Sequence, residues 1–388
     1  MTTSTALDRL RAKACAATLF PPTSLADAMR RLGFVQADPI RAPARAQDLI
    51  LRHRVRGYRA GGLDLSFGRL RLEEDFVHAY GFIPAATRNL LHPRLDPAGE
   101  AGMHAPAGLA AEVLAFVRDR GPTHPGDLEA RFGRERAVNG WGGMSKATTR
   151  ALESLRHHGL LRVAGRRDGI RVYEEAPPSP PAADPAERAR CLVLLMARLL
   201  APVSPVSLRG ALALMARYNP GLGSLGPVVT AALRTGELER GEVAGETYLW
   251  PAMEAAWQDR PAPKVVRLLA PFDPLVWDRR RFGHLWGWAY RFEAYTPLVR
   301  RRFGYYAMPM LWGDAVIGWA NVTCAAEGMQ VTTGYAGRCP DSASFRRALE
   351  DELARMERFL VKQVPGCPGM ETRQHPADER PGRVPPAH

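Results

Sequence analysis

The clearest candidate for chemistry is a polar pair inside an apolar segment. Gln36 and Asp38 stand two residues apart in the run Gly33–Ile40. In an extended segment such side chains point to the same side, so the amide and the carboxylate could hold one water molecule together. The carboxylate could orient or deprotonate that water and stabilise positive charge on a substrate. Since a Gln-x-Asp triplet arises by chance about once in such a chain, a turn or cap role for Asp38 is the alternative.

Signatures of several other enzyme classes are missing from the sequence. It contains no P-loop, no Rossmann glycine fingerprint, no His-Glu-x-x-His and no Gly-x-Ser-x-Gly motif. The five cysteines are scattered, with no Cys-x-x-Cys pair and no zinc spacing. No lysine lies near Gln36 and Asp38 to form a Schiff base with a sugar. We therefore expect chemistry that requires neither a metal nor an organic cofactor.

The charge balance predicts a polyanionic partner. The 53 basic residues exceed the 40 acidic ones by 13, and only four of the basic residues are lysines. Arginine suits phosphates and base edges, and a GC-rich coding sequence explains the choice of arginine better than the net excess. The longest apolar run, 191–203, is interrupted by Arg198 and Pro202, so no membrane partner is expected. The first residues lack a leader pattern, which predicts a cytoplasmic location.

The region 105–175 has the pattern of a winged helix. A glycine-proline stop follows the first helix, and an Asp-Gly pair between two apolar runs indicates a hairpin wing. Ser145 is the predicted N-cap of the third helix, and Arg166 and Arg167 make the wing turn basic. The predicted elements are helices Leu109–Arg120, Gly126–Phe132 and Lys146–His158, followed by strands Leu160–Ala164 and Ile170–Glu174.

The rest of the chain divides into similar pieces. A proline-rich linker is predicted at 176–185, then a second winged helix at 186–262 that repeats the helix and wing pattern. Residues 1–104 form a third, winged-helix-like domain that carries Gln36 and Asp38. Residues 263–363 read as a C-terminal mixed α/β unit with a hairpin, and 364–388 as a disordered tail. The fold class is mainly α with β wings, an α+β protein of tandem winged-helix motifs.

Five sequence blocks carry a resemblance to a known family. They are LGFVQADPIRAPARAQDLIL (32–51), VHAYGFIP (77–84), the block 140–160, LLAPFDPLVWDRRR (268–281) and EAYTPLVRRRFGYYAMPML (293–311). Together they resemble the YcaQ/AlkZ-like winged-helix DNA glycosylases, which repair alkylated and crosslinked DNA, to about Val361. The resemblance implies a basic concave cleft and a catalytic Gln-aliphatic-Gln or Gln-aliphatic-Asp triplet, here Gln36–Ala37–Asp38, in which Gln36 and Asp38 are the catalytic residues. Ala79 stands where the family often has an acidic residue.

The implied reaction fits the residues. An N7-alkylguanine is already cationic and leaves without a general acid, whereas the oxocarbenium-like sugar needs stabilisation, which Asp38 can supply. The expected activity is monofunctional hydrolysis of the N-glycosidic bond, with crosslink unhooking as an extension. The expected partner is double-stranded DNA with alkylated or crosslinked guanine, bound by a monomer at the nucleoid. A crosslink cannot enter a closed pocket, so we expect a shallow site.

Basic and aromatic side chains near these blocks are candidates for DNA contact. His78 has a structural interpretation of equal weight, and for Asp273, Trp277 and Asp278 a structural role at a domain junction is favoured. We also expect the Tyr305–Asn321 hairpin, with its turn Trp312–Asp314, to form a finger against the duplex. The DNA-contact candidates are Arg41, Arg45, His78, Arg166, Arg167, Arg300, Arg301, Arg302 and Tyr305.

Two other function classes compete with the glycosylase. A non-enzymatic winged-helix transcriptional regulator would usually read a palindrome as a dimer. Several winged-helix units in one chain and no heptad segment favour a monomer that clamps a duplex instead. An RNA-binding accessory protein lacks support, because no RNP or GXXG signature is present.

Overall fold

The computed structural model describes residues 3–94, 108–138, 144–167, 169–178, 184–252, 263–325, 328–361 and 370–374. Parts of the 140–160 block, of the 176–185 linker and of the 364–388 tail lie outside the described residues, as does Asp168.

The N-terminal unit combines helices with a small sheet that carries the Gln36–Asp38 motif. Its elements are α1 (Thr3–Thr18), α2 (Leu25–Leu32), β1 (Val35–Gln36), α3 (Ala46–Leu51), α4 (Gly62–Ser66), β2 (Glu73–Phe76), β3 (Tyr80–Ile83) and α5 (Ala85–Leu91). The antiparallel sheet has the order β1–β3–β2. Helix α2 is capped by Ser24, whose hydroxyl accepts from the Asp27 N–H, and ends at Gly33 with φ 69°. This places the turn into β1 directly before the motif.

Two winged-helix units follow and share one topology. The first contains α6 (Leu109–Arg120), α7 (Pro125–Phe132), β4 (Arg136–Val138), β5 (Met144–Lys146), α8 (Ala147–His157), β6 (Leu161–Arg167) and β7 (Ile170–Glu175). The second contains α9 (Pro185–Leu199), α10 (Pro205–Tyr218), α11 (Gly226–Arg234), β8 (Leu238–Val243) and β9 (Glu246–Pro251). Thr123 forms an isolated antiparallel β-bridge with Tyr173 in the first unit, and Val203 forms the equivalent β-bridge with Leu249 in the second. The predicted repeat of helices and wing is confirmed.

Several local predictions for these units are wrong. Ser145 lies in β5 and does not cap α8, whose N-cap Lys146 makes no side-chain cap bond. Strand β6 extends to Arg167, so Arg166 and Arg167 lie in the wing strand and not in its turn. Pro185, predicted as the last linker residue, is the first residue of α9, where proline is tolerated because its missing N–H would be unsatisfied.

The C-terminal unit is a sheet flanked by helices. Its elements are β10 (Val266–Leu268), α12 (Pro274–Trp277), α13 (Arg279–Trp286), β11 (Met308–Trp312), β12 (Ala315–Ala325), β13 (Gly328–Tyr335), α14 (Ala343–Leu360) and β14 (Met370–Gln374). The sheet order is β10–β11–β12–β13–β14, and β14 runs parallel to β13. The five residues of β14 fall in the predicted disordered tail, so that prediction does not hold for them.

Buried side chains connect these units. One apolar cluster extends from α2 and β1 through both winged-helix units to β10, β11 and α14. A buried ion pair adds a polar link, because the Arg54 guanidinium donates to both oxygens of Asp273 at 2.8 and 2.9 Å. The fold class is confirmed: a largely helical α+β chain with small, mostly antiparallel sheets.

Candidate active site

Strand β1 fixes the backbone of the Gln36–Asp38 motif against β3. Gln36 pairs with Gly81, and the Ala37 N–H donates to the Tyr80 carbonyl at 3.0 Å. A Cβ atom at Gly81 would lie 2.3 Å from the Val35 carbonyl oxygen and 2.6 Å from the Phe34 ring. Glycine at this position therefore allows the close approach that holds the motif in place.

Asp38 is half-buried and has little protein support for its charge. Its Oδ1 accepts the Ile40 N–H at 2.9 Å, which is the turn interaction expected beside Pro39. This uses one of its two oxygens, and no basic side chain among the described residues forms an ion pair with Asp38. Burial raises the pKa of this carboxyl group, since the single backbone hydrogen bond compensates only in part.

Three more polar groups near the motif are buried without a hydrogen-bonding partner in the described structure. They are Gln36 Oε1, His78 Nδ1 and the Tyr306 hydroxyl. Tyr306 lies close enough to Asp38 to feel its charge, and burial together with this charge keeps the pKa of Tyr306 well above its ordinary value. Buried polar groups normally have partners, and water is a partner that such groups can take.

His78 lies in the interior beside the motif. Its ring contacts Phe34 and Trp277 edge to face, with centroid distances of 4.8 and 4.7 Å. Burial lowers the pKa of His78 to about 3, so the ring is neutral near pH 7. The candidate DNA contact at His78 is therefore not a cation at the protein surface, and Trp277 becomes part of the wall of this site.

The two aspartates near Trp277 have the structural roles that the sequence favoured. Asp273 is fully buried, caps α12 through the Leu275 N–H and pairs with Arg54. Asp278 caps α13 by accepting the Arg281 N–H at 3.1 Å. Asp273 therefore joins the C-terminal unit to the N-terminal one, while Asp278 stabilises the first turn of α13.

The candidate DNA-contact arginines divide into occupied and exposed groups. Arg45 pairs with Asp64 at 2.9 Å, and Arg166 pairs with Glu74. Arg167 is exposed and lies 3.6 Å from Asp127.

A second set lies near the motif or in the loop before β11. Arg41, Arg300 and Arg302 are exposed, and so is Tyr305. Arg301 donates to the Thr296 carbonyl and lies over the Tyr305 ring. Among the candidate arginines, those that are exposed and have no described carboxylate partner are therefore Arg41, Arg300 and Arg302.

The predicted finger is not free. Gly313 in the β11–β12 turn is buried, and its N–H donates to the Val265 carbonyl at 3.1 Å. The Trp286 indole donates to the Asp314 carbonyl at 2.7 Å, and Trp312 packs on Phe345. The expectation that this turn contacts the duplex is wrong, because neighbouring elements cover it.

Tyr306 is the site residue that sequence reasoning missed. It follows the Arg300–Arg302 run and Tyr305, which were chosen for their basic and aromatic character. No local pattern separates Tyr306 from Tyr305, yet the first is buried beside Asp38 and the second is exposed.

Winged-helix units joined to a half-buried carboxylate with unused polar neighbours define a DNA-acting enzyme more readily than a regulator. The model of the family described as DNA glycosylase AlkZ-like matches residues 29–359. The chain belongs to the AlkZ-like DNA glycosylase family.

A solved structure supports the same fold. The chain is similar to the Streptomyces sahachiroi DNA glycosylase AlkZ, with a TM-score of 0.57 and 16% sequence identity, over 95% of this chain and 99% of that chain. The predictions of the family and of a DNA glycosylase enzyme are confirmed. In the part of the chain that the structure describes, no helix has the length and apolar character needed to cross a bilayer.

Proposed function

We propose that this DNA glycosylase hydrolyses the N-glycosidic bond of cationic N7-alkylguanine in duplex DNA and unhooks interstrand crosslinks of the same chemistry. The observation that carries the proposal is the electrostatic state of Asp38. In a chain with a net charge of +13, this carboxylate has no cationic partner among the described residues. A cationic substrate supplies the missing charge.

The reaction requires little acid catalysis. When the bond between C1′ and N9 breaks, its electron pair moves to the positively charged base, which leaves neutral. The sugar becomes oxocarbenium-like, and Asp38 stabilises that charge at short range. A water oxygen then bonds to C1′ and gives its proton to Asp38, so the product is an abasic site. This makes the enzyme monofunctional.

The neighbours of Asp38 position the water and the sugar in this proposal. Gln36 Oε1 accepts a hydrogen bond from the water, while its amide group remains able to donate. Tyr306 stays protonated because its pKa is raised, so its hydroxyl donates to a sugar or carboxylate oxygen. His78 stays neutral and adds no positive charge that would oppose the developing cation.

The crosslink part of the proposal requires that the motif lies outside a deep pocket. A cavity of about 620 Å³ lies between α2, α5 and α9, lined among others by Arg30, Thr87 and Leu195. Neither Gln36 nor Asp38 lines it. Asp38 is partly exposed outside this cavity, and the proposal requires that a lesion tied to the opposite strand reaches it there. We also propose that the enzyme works as a monomer on DNA at the cytoplasmic nucleoid.

The test is single-turnover excision of N7-methylguanine from a duplex. Asp38→Asn keeps the shape but removes the charge, so we expect the rate to fall about 10²-fold or more. Gln36→Ala should cost less, because the carboxylate still attracts the water. The matched control is Asp119→Asn, an exposed carboxylate on α6, which should excise at the wild-type rate.

Several results would contradict the proposal. Wild-type excision by Asp38→Asn would overturn the assigned role, and an intact strand with the unaltered enzyme would overturn the substrate. A crosslinked duplex tests the extension separately, because a chain that excises the monoadduct but leaves the crosslink joined lacks the unhooking activity.

A further inference from the structure

The segment Tyr295–Tyr305, here called the Tyr295–Tyr305 loop, exposes apolar side chains that a folded protein usually covers. Leu298 is 76% exposed, Val299 is 92% exposed and Tyr295 is 78% exposed. With Tyr305, they make four of the ten large hydrophobic residues that are exposed in the described part of the chain. Such clustering marks a contact surface, since single exposed hydrophobic residues are ordinary and groups of them are not.

The loop is held firmly although its tip is exposed. Glu293 is almost fully buried, and its Oε2 accepts the N–H groups of Arg302 and Phe303 at 2.8 and 2.7 Å. Asn321 on β12 donates to the Phe303 carbonyl at 2.6 Å. A 3-10 turn spans Leu298–Arg300 and presents Leu298 and Val299 at the tip. The apolar tip is therefore carried on an ordered base.

The loop is also connected to the motif. Tyr295 contacts the Phe292 ring, which contacts Tyr306 edge to face at 5.4 Å. Tyr306 is the buried tyrosine that feels the charge of Asp38. The ring contacts Tyr295–Phe292–Tyr306 therefore connect the loop to the surroundings of the candidate catalytic carboxylate.

The charged residues beside the tip indicate the kind of ligand that the loop binds. Arg300 and Arg302 are exposed, and no described carboxylate pairs with either of them. A tip of branched apolar side chains flanked by unpaired arginines is complementary to a nucleic acid duplex, which offers phosphates outside and stacked bases inside. DNA-bending proteins use leucine and similar residues as wedges between base steps in this manner.

We propose that Leu298 and Val299 form a wedge that enters the duplex beside the lesion and unstacks a base step while Arg300 and Arg302 hold the phosphates. The inference rests on the proposed function for the position of the lesion at Asp38. It adds a second contact to that function, since the wedge opens the duplex and the motif performs the hydrolysis. Unstacking exposes C1′ of the damaged nucleotide without requiring a deep base pocket.

The experiment measures unstacking separately from excision. A duplex carries 2-aminopurine next to a 2′-fluoro N7-methylguanine nucleotide, whose electron-poor sugar resists hydrolysis. We expect binding of the unaltered protein to raise the 2-aminopurine fluorescence several-fold, and the double variant Leu298→Ser/Val299→Ser to abolish that rise. Excision from the ordinary N7-methylguanine duplex should fall about 10-fold in the double variant. Val361→Ser, at an exposed apolar position after α14, is the control and should behave as wild type.

Distinct results identify distinct failures. If the protein unstacks the duplex but does not excise, the proposed function fails and the wedge remains. If the double variant unstacks and excises like the unaltered protein, or if no unstacking occurs at all, the wedge is overturned. Loss of binding to anionic vesicles or of self-association in the double variant, with DNA behaviour unchanged, would assign the patch to a membrane or a protein surface instead. Melting curves check that both variants are folded.

Discussion

The two edges of the small β1–β3–β2 sheet carry carboxylates that differ in their ionic partners. At one edge, Asp38 follows β1 with one backbone hydrogen bond and no cation. At the other edge, β2 contributes Glu73, Glu74 and Asp75, here called the carboxylate cluster, all of them buried. The cluster pairs with Arg88 and Arg162 at Glu73, with Arg166 and Arg171 at Glu74, and with His92, Arg94 and Arg156 at Asp75.

The comparison separates structural from chemical use of the same residue type. Buried carboxylates that serve the fold obtain partners, because an unpaired buried charge is costly. Burial alone would raise the pKa of Asp75. Its partners Arg94, His92 and Arg156 instead hold this pKa well below its ordinary range. Burial instead raises the pKa of Asp38. Among the described residues, Asp38 therefore differs from the carboxylate cluster in having no ion-pair partner.

The carboxylate cluster also explains where the first wing packs. Its Arg166 and Arg171 pair with Glu74, so this wing docks on the N-terminal unit. The second wing also packs internally, with Lys13 over Trp250 and Tyr248 hydrogen-bonded to His284. Basic composition in a wing therefore does not identify a DNA-reading element in this protein.

The largest expected effect is on stability at the paired edge. Asp75→Asn leaves Arg94 and Arg156 buried with a neutral partner, so the free energy of unfolding should fall by about 3–5 kcal/mol. Asp38→Asn, which breaks no ion pair, should change it by less than about 1 kcal/mol. Urea titrations of both variants measure the difference. Equal losses would remove the distinction between the two edges.

A pH series compares two buried histidines, His78 beside the motif and His92 at the carboxylate cluster. Burial lowers the pKa of His78 to about 3, while His92, which is partnered by Asp75, is lowered to about 4. Below the ordinary histidine pKa the unfolded chain binds protons that the folded chain does not, so stability falls as pH falls. In His78→Gln, the slope of unfolding free energy between pH 6 and pH 4 should decrease by about 1.4 kcal/mol per pH unit. An unchanged slope would mean that His78 is protonated in the folded protein.

Removal of single tyrosine hydroxyl groups compares a hydroxyl without a protein partner with one that has a partner. Tyr306→Phe removes a hydroxyl without a protein partner, so we expect excision to slow by about 10-fold at nearly unchanged stability. Tyr290→Phe removes a hydroxyl that donates to the Ala307 carbonyl at 2.7 Å. This control should lose about 1 kcal/mol of stability and keep its excision rate. The reverse pattern would place Tyr306 among the purely structural residues.

The smallest expected effect concerns arginine 166. Because Glu74 occupies its guanidinium, Arg166→Ala should leave the affinity for undamaged duplex within about 2-fold. Arg41→Ala, at an exposed position after the motif, should weaken binding at every sequence and reduce the salt slope by about one. Fluorescence anisotropy at several salt concentrations measures both. A stronger loss in Arg166→Ala would return the first wing to the DNA interface.

Local sequence patterns predicted the elements that depend on short-range interactions. Helix α6 and the repeated wing pattern follow from short-range signals, and the structure has them. The motif Gln36–Asp38 was identified from residue types and resemblance, and its catalytic role stays a prediction.

Long-range pairings were beyond such patterns. The occupation of Arg166 by Glu74, the position of His78 against Trp277 and the burial of Tyr306 join segments about 90 to 270 residues apart along the chain. Nothing in the local spacing of these residues states which distant side chain they meet. The sequence therefore indicated where charge is abundant, while the fold determined which charges are left for DNA.

The buried pair of Arg54 and Asp273 ties the motif-bearing unit to residues far beyond the predicted boundary at 262. Both side chains are completely inaccessible to solvent, so separation of the two units would leave an uncompensated charge inside each. The N-terminal unit is thus not a minimal enzyme to which other modules were appended. A chain interrupted during synthesis before Asp273 therefore carries the complete motif while the buried Arg54 lacks its ionic partner.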